Sequence, residues 1–109
     1  MDSIHLTILT ACVIIYMIKS FNCKETKKIY DMESSRKLPV AIQQRAYKKL
    51  LMINNAATIE DLRIPPSNHL EKLSGTRDGQ YSIRINSQWR ICFYWDANDA
   101  YEVAIVDYH

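Results

Sequence analysis

Glycine and proline are scarce in this chain of 109 residues, with two of the first and three of the second. That scarcity excludes collagen-like, low-complexity and linker-rich architectures. The cysteines are three, Cys12, Cys23 and Cys92, an odd number with no CxxC spacing. Neither a disulfide framework nor a zinc site fits that count and spacing, and a reducing compartment is the natural setting. No apolar run is long enough to cross a bilayer, which takes about 20 residues. The nearest approach, residues 4–18, is broken by His5, Thr7 and Thr10. A secretory leader needs a basic start, and Asp2 is the only early charge. The overall charge of +2 is too small to mark a strongly basic or acidic protein.

What remains is an ordinary globular composition, 48% hydrophobic and 24% charged, with length for one domain and one modest core. Residues 1–16 are set apart as a doubtful extension, read as an over-long gene start with Met17 as the first residue of the domain. Their alternative role is an extra strand or helix covering a domain that spans residues 17–109. Leu9-Thr10-Ala11-Cys12 has the look of a lipoprotein cleavage box, but the apolar run before it is short and lacks a basic flank.

Periodicity gives the elements. Met17 to Phe21 reads as a short edge strand. Lys24 to Ser34 reads as a helix with Ile29, Tyr30 and Met32 buried. A second helix over Val40 to Asn54 follows Pro39, a residue suited to a first helical turn, and buries Ile42, Ala46, Tyr47, Leu50, Leu51 and Ile53. Its other face, Gln43, Gln44, Arg45, Lys48 and Lys49, reads as solvated surface. The run Ile64-Pro65-Pro66-Ser67-Asn68 is a loop. Three strands then alternate with period two, at Tyr81, Ile83 and Ile85, at Ile91, Phe93 and Trp95, and at Tyr101, Val103 and Ile105. The order β-α-α-β-β-β predicts an α+β domain: a small, antiparallel-rich sheet with two N-terminal helices packed on one face. The other face is left for a ligand.

The polar residues of those strands set the chemistry. Between Lys72 and Tyr94 stand Lys72, Arg77, Arg84 and Arg90 against Asp78 alone, a local balance of +3. A concentrated patch of this kind suits phosphate, with RNA the first candidate. Arg84 and Arg90 offer planar forks for phosphate oxygens. His109 ends the chain, and an imidazole serves as acid or base near neutral pH. Its chain-end carboxylate favours the imidazolium and so a general acid. Tyr108 is placed to stack or donate a hydroxyl, and Asp107 to orient a neighbour. Metal-free RNA cleavage asks for this set: an acid, a base and cations for the phosphate while the ribose 2′-OH attacks. Each residue also has an ordinary reading. A terminal histidine is commonly a frayed end, and strand arginines commonly pair with acids such as Glu102 or Asp107. Trp89 and Trp95 read as packing residues, Cys92 as a small buried hydrophobe and His69 as a loop surface residue.

The runs GQYSIRINSQWRICFYW and AYEVAIVDYH, with PPSN and MIKSF, resemble the HigB-type toxins of the RelE superfamily over residues 17–109. The resemblance implies a RelE-like α+β fold and a ribosome-dependent mRNA endoribonuclease that needs no metal and no cofactor. It implies a cytoplasmic protein whose partners are a helix-turn-helix antitoxin of HigA type, mRNA in the ribosomal A site and ribosomal RNA, with no membrane. Arg90 falls on the arginine of the WRI motif, Asp107, Tyr108 and His109 on the terminal DYH, and Arg84 on an arginine common in YSIRIN-type members. Lys72 and Arg77 are expected to bind RNA. The sequence departs where the family carries a lysine before the turn glycine and, in some members, a histidine three residues earlier. Ser74 and Glu71 occupy those positions, so the general base is unassigned. The same scaffold serves ParE-like inhibitors of DNA gyrase, and a non-catalytic RNA- or ribosome-binding module is the third reading.

Overall fold

The computed structural model describes residues 17–108; the extension 1–16 and His109 lie outside them. Among the described residues, two helices, α1 (Lys24–Tyr30) and α2 (Val40–Asn55), precede four strands: β1 (Glu71–Lys72), β2 (Gln80–Arg84), β3 (Trp89–Asp96) and β4 (Asp99–Asp107). The strands form one antiparallel sheet in the order β1-β2-β3-β4. This is the expected α+β arrangement. Ile42, Ala46, Leu50 and Ile53 of α2 recur at helical spacing and are buried with Ile29 of α1. They share one core with Ile83, Ile91, Phe93, Val103 and Ile105 of the sheet, with Trp89 and Trp95 packed at its margin.

The segment after Met17 runs parallel to the edge of β4 and pairs with it only at two points, Ile18 with Ala100 and Phe21 with Val103. The expected edge strand is interrupted because β4 bulges. Between Cys92 and Tyr94 the register shifts, and Glu102 adopts a left-handed φ of 51°. The Glu102 N–H then turns to the Ser20 hydroxyl, at 2.9 Å. The bulge also moves Tyr101. It pairs with Tyr94, on the face opposite Val103 and Ile105, so the alternation that grouped the three residues fails there.

Helix α1 is shorter than its apolar pattern suggested. Met32 sits at φ 66°, and the N–H of Glu33 reaches back to the Lys28 carbonyl at 2.8 Å. This is a left-handed helix stop, and it turns Met32 outward to 77% exposure instead of burying it. A non-glycine residue in this conformation carries strain of about 1 kcal/mol. Met32→Gly is therefore expected to raise stability by about that amount, read as a higher urea midpoint at an unchanged slope. A midpoint lowered by the substitution would show that Met32 makes a contact of greater worth than the strain.

Candidate nucleic-acid cleavage site

The face of the sheet turned away from the helices is built by the alternate residues of β2 and β3. Arg84 stands directly across from Arg90 in the register, and Ser82 across from Cys92. Two like charges in direct opposition destabilise a sheet, so a need other than strand pairing holds them there.

Arg90 is only 8% exposed. Its Nε donates to the Ser82 hydroxyl at 2.7 Å, and one terminal nitrogen donates to the carbonyls of Ser82 and His69. Glu71 of β1 lies 3.9 Å from that nitrogen, and the ring of Tyr108 sits 5.7 Å from the guanidinium carbon. Arg90 thus clamps β2, β3 and the loop before β1, and offers less of its fork than an exposed arginine. Its acidic neighbour is Glu71, in place of the Glu102 or Asp107 considered from sequence. Arg84 has no ion pair among the described residues. Beneath the clamp Cys92 is fully buried as expected, and burial pushes its thiol pKa up against the opposing charges of Arg77 and Arg90.

The loop that meets Arg90 is itself fixed. Pro66–Asn68 make one 3₁₀ turn, and His69 closes it with a left-handed φ of 45°. Asn68, fully buried, donates to the carbonyls of Leu62 at 3.1 Å and Ile64 at 3.4 Å. Its own side-chain oxygen accepts from the ammonium of Lys49. Lys49 is therefore buried, contrary to its reading as solvated surface: an amphipathic side chain reaches inward when a loop acceptor awaits it.

Around these groups lies a cavity of about 310 Å³, lined by His69, Glu71, Arg84, Asn86, Ser87, Arg90 and Tyr108. A second, of about 540 Å³, shares Glu71 and Tyr108 with the first and adds Lys72, Arg77 and Asp107. Arg84, Arg90 and Tyr108 therefore meet in one place, while Lys72, Arg77 and Asp107 lie next door. Asp107 pairs with Trp89 in the register and accepts a hydrogen bond from Gln88 Nε2 at 3.1 Å. His109 lies outside the described residues; Tyr108, to which it is bonded, lines both cavities.

His69 is an exposed loop residue, as read from the sequence. Its backbone carbonyl accepts from Arg90, and it also lines the first cavity. Glu71 was noted only as a departure; it proves to be the acid nearest Arg90. Among the described residues no cluster of three or more His, Cys, Asp or Glu side chains is disposed to hold a metal ion.

Residues 19–109 match the family HigB-like toxin, described as "RelE-like toxin of type II toxin-antitoxin system HigB". Toxin HigB-1 of Vibrio cholerae is 38% identical over 80 residues, covering 72% of this chain and 84% of that protein. Endoribonuclease HigB of Proteus vulgaris is 33% identical over 93 residues, covering 85% of this chain and all of that protein. Among solved structures, a chain of the YoeB-YefM complex from Staphylococcus aureus superposes with a TM-score of 0.49 at 18% identity, over 84% of this chain and 97% of that one.

Proposed function

Because the chain belongs to the HigB-like family of RelE-like toxins from type II toxin–antitoxin systems, we propose that it is an endoribonuclease that cuts mRNA in the ribosomal A site. The observation that carries this reading is the opposition of Arg84 and Arg90 above a cavity that also holds His69, Glu71 and Tyr108. A phosphodiester between the arginines relieves their repulsion and is polarised by them as charge builds in the transition state. The ribose 2′ oxygen attacks phosphorus and the bond to the 5′ oxygen breaks, leaving a 2′,3′-cyclic phosphate and a free 5′-hydroxyl. His109 supplies the proton for the leaving oxygen. His69 and Glu71 are the groups lining the cavity that can accept the 2′ proton. Loss of the accepting group is expected to slow cutting by about 10²–10⁴-fold. Comparing His69→Ala with Glu71→Gln identifies it.

Arg90 holds the phosphate through the part of its fork left by Ser82 and His69, and Tyr108 stacks against it. Asp107 supports the chain end through Gln88, and Lys72 and Arg77 hold the RNA as it leaves the cavity. The partner that restrains the activity is an antitoxin, read as the helix-turn-helix HigA type, and the place of action is the cytoplasm, where ribosomes translate. No described helix is long and apolar enough to cross a membrane. The test is cutting of one mRNA presented naked and on translating ribosomes. The reading requires new 5′ ends on the ribosome-bound message alone. Equal cutting of both would remove the ribosome from the account, and intact mRNA beside inhibited gyrase would replace the account with the ParE-like one.

A further inference from the structure

Arg84 borders a second cavity. Beside Arg84, a hollow of about 600 Å³ opens between α2 and the turn that joins β2 to β3. Arg45, Lys48 and Lys49 come to it from α2, Arg84 from β2, and Met52 and Ile85 give it an apolar wall. No acidic side chain lines it. Arg45, Lys48, Lys49 and Arg84 have no ion pair among the described residues.

The cations are placed, not merely nearby. Arg45 donates from Nη1 to the Ile85 carbonyl at 3.3 Å, which lays its guanidinium from the helix onto the strand end. Lys49 is 9% exposed, with its ammonium fixed on Asn68. Burial holds the Lys49 ammonium below its ordinary pKa, and the nearby charge of Arg45 adds to that effect. An assembly of cations without a counter-charge is at odds with itself until an anion enters. The hollow and the cleavage cavity also share Asn86 and Ser87 along with Arg84, so the two adjoin.

We propose that this hollow is a subsite for a second RNA nucleotide, binding its backbone phosphate with Arg45, Lys48 and Arg84 and its base against Met52 and Ile85. This inference rests on the nuclease reading and extends it to a neighbouring nucleotide. Adjacency to the cleavage cavity favours RNA over an acidic protein segment, since the next nucleotide of a strand lying in one cavity falls beside the other. The nucleotide belongs either to the message being cut or to ribosomal RNA.

The test places a photoreactive benzoylphenylalanine at Lys48, an exposed position, in the full chain and adds the protein to mRNA-programmed ribosomes. Cross-links are mapped on both RNAs, and cutting by the unaltered chain is followed in parallel. A cross-link on the message within about two nucleotides of the cut assigns the subsite to the substrate strand. One on ribosomal RNA keeps the subsite and assigns it to the ribosome. Cutting by the unaltered chain with no cross-link to RNA, or with one to protein only, overturns the subsite and leaves the nuclease standing. No cutting by the unaltered chain overturns both.

A second measurement does not depend on the probe. Arg45→Gln with Lys48→Gln is expected to raise the concentration needed for half-maximal cutting about tenfold, and to shrink its log–log salt slope by about 0.7, the value for one lost phosphate contact on a single strand. An unchanged concentration and slope would overturn the subsite.

Discussion

Arg90→Met is expected to lower the unfolding free energy by about 2–4 kcal/mol and to reduce cutting to background. The guanidinium is nearly buried, and its bonds reach Ser82 on β2 and the carbonyl of His69 in the loop. Methionine fills much of the same volume but leaves the Ser82 hydroxyl and the His69 carbonyl without their donor. Unmet buried groups cost about 1–3 kcal/mol each. Removing a buried charge offsets part of that loss, which is why the expected figure is not larger. The urea midpoint should fall with little change in slope. Arg90→Lys separates the two roles: it retains charge but cannot serve Ser82 and His69 together, so cutting should stay low even where stability partly returns. Full cutting by Arg90→Lys would remove the fork from the chemistry. A Met variant as stable as the parent would remove the clamp.

The second large effect is placed in the loop. Asn68→Ala is expected to destabilise the fold by about 3 kcal/mol, because one side chain serves an ammonium and two carbonyls, besides a weak contact with the Met52 sulfur. Without it the Lys49 ammonium has no acceptor, and the carbonyls of Leu62 and Ile64 lose a donor. The loop carrying Ser67 and His69 then loses its anchor to α2, so cutting should drop with stability. Asn68→Asp keeps an acceptor for Lys49 but no donor for the two carbonyls, and should fall between the parent and Asn68→Ala. Urea unfolding measures the stability, and amide exchange across Asn68 to Leu70 follows the loop. A loss under about 1 kcal/mol for Asn68→Ala would show that the loop is held by its prolines and packing instead.

The fold was legible where a pattern runs for several residues. Helix α2 and the strands β2, β3 and the end of β4 each repeat their apolar spacing long enough to be read, and they supply the core. What was missed is set by single residues. β1 is two residues long and has no alternation to detect. The stop after α1 depends on Met32 taking a left-handed conformation that methionine does not advertise, and Tyr101 changes face because Glu102 bulges.

The site followed the same division. Arg84, Arg90, Tyr108, Asp107, Lys72 and Arg77 were named from strand positions and the family motif. They gather in two adjoining cavities. The structural work of Arg90, the burial of Lys49 and the approach of His69 all come from contacts between the helix, the loop and the sheet. These contacts join residues 19 positions apart (Lys49 and Asn68), 21 apart (Arg90 and His69) and 40 apart (Arg45 and Ile85), and no local pattern encodes them.

We propose that this chain cuts translated mRNA with His109 as the acid. Primer extension on a translated message, after expression of the full chain and of His109→Ala, tests it most directly. New 5′ ends with the parent, and about 10²–10⁴-fold fewer with the variant at equal folded protein, are the expected result. Equal cutting by both would contradict the role of His109, and absence of ends with a folded, growth-arresting parent would contradict the nuclease itself.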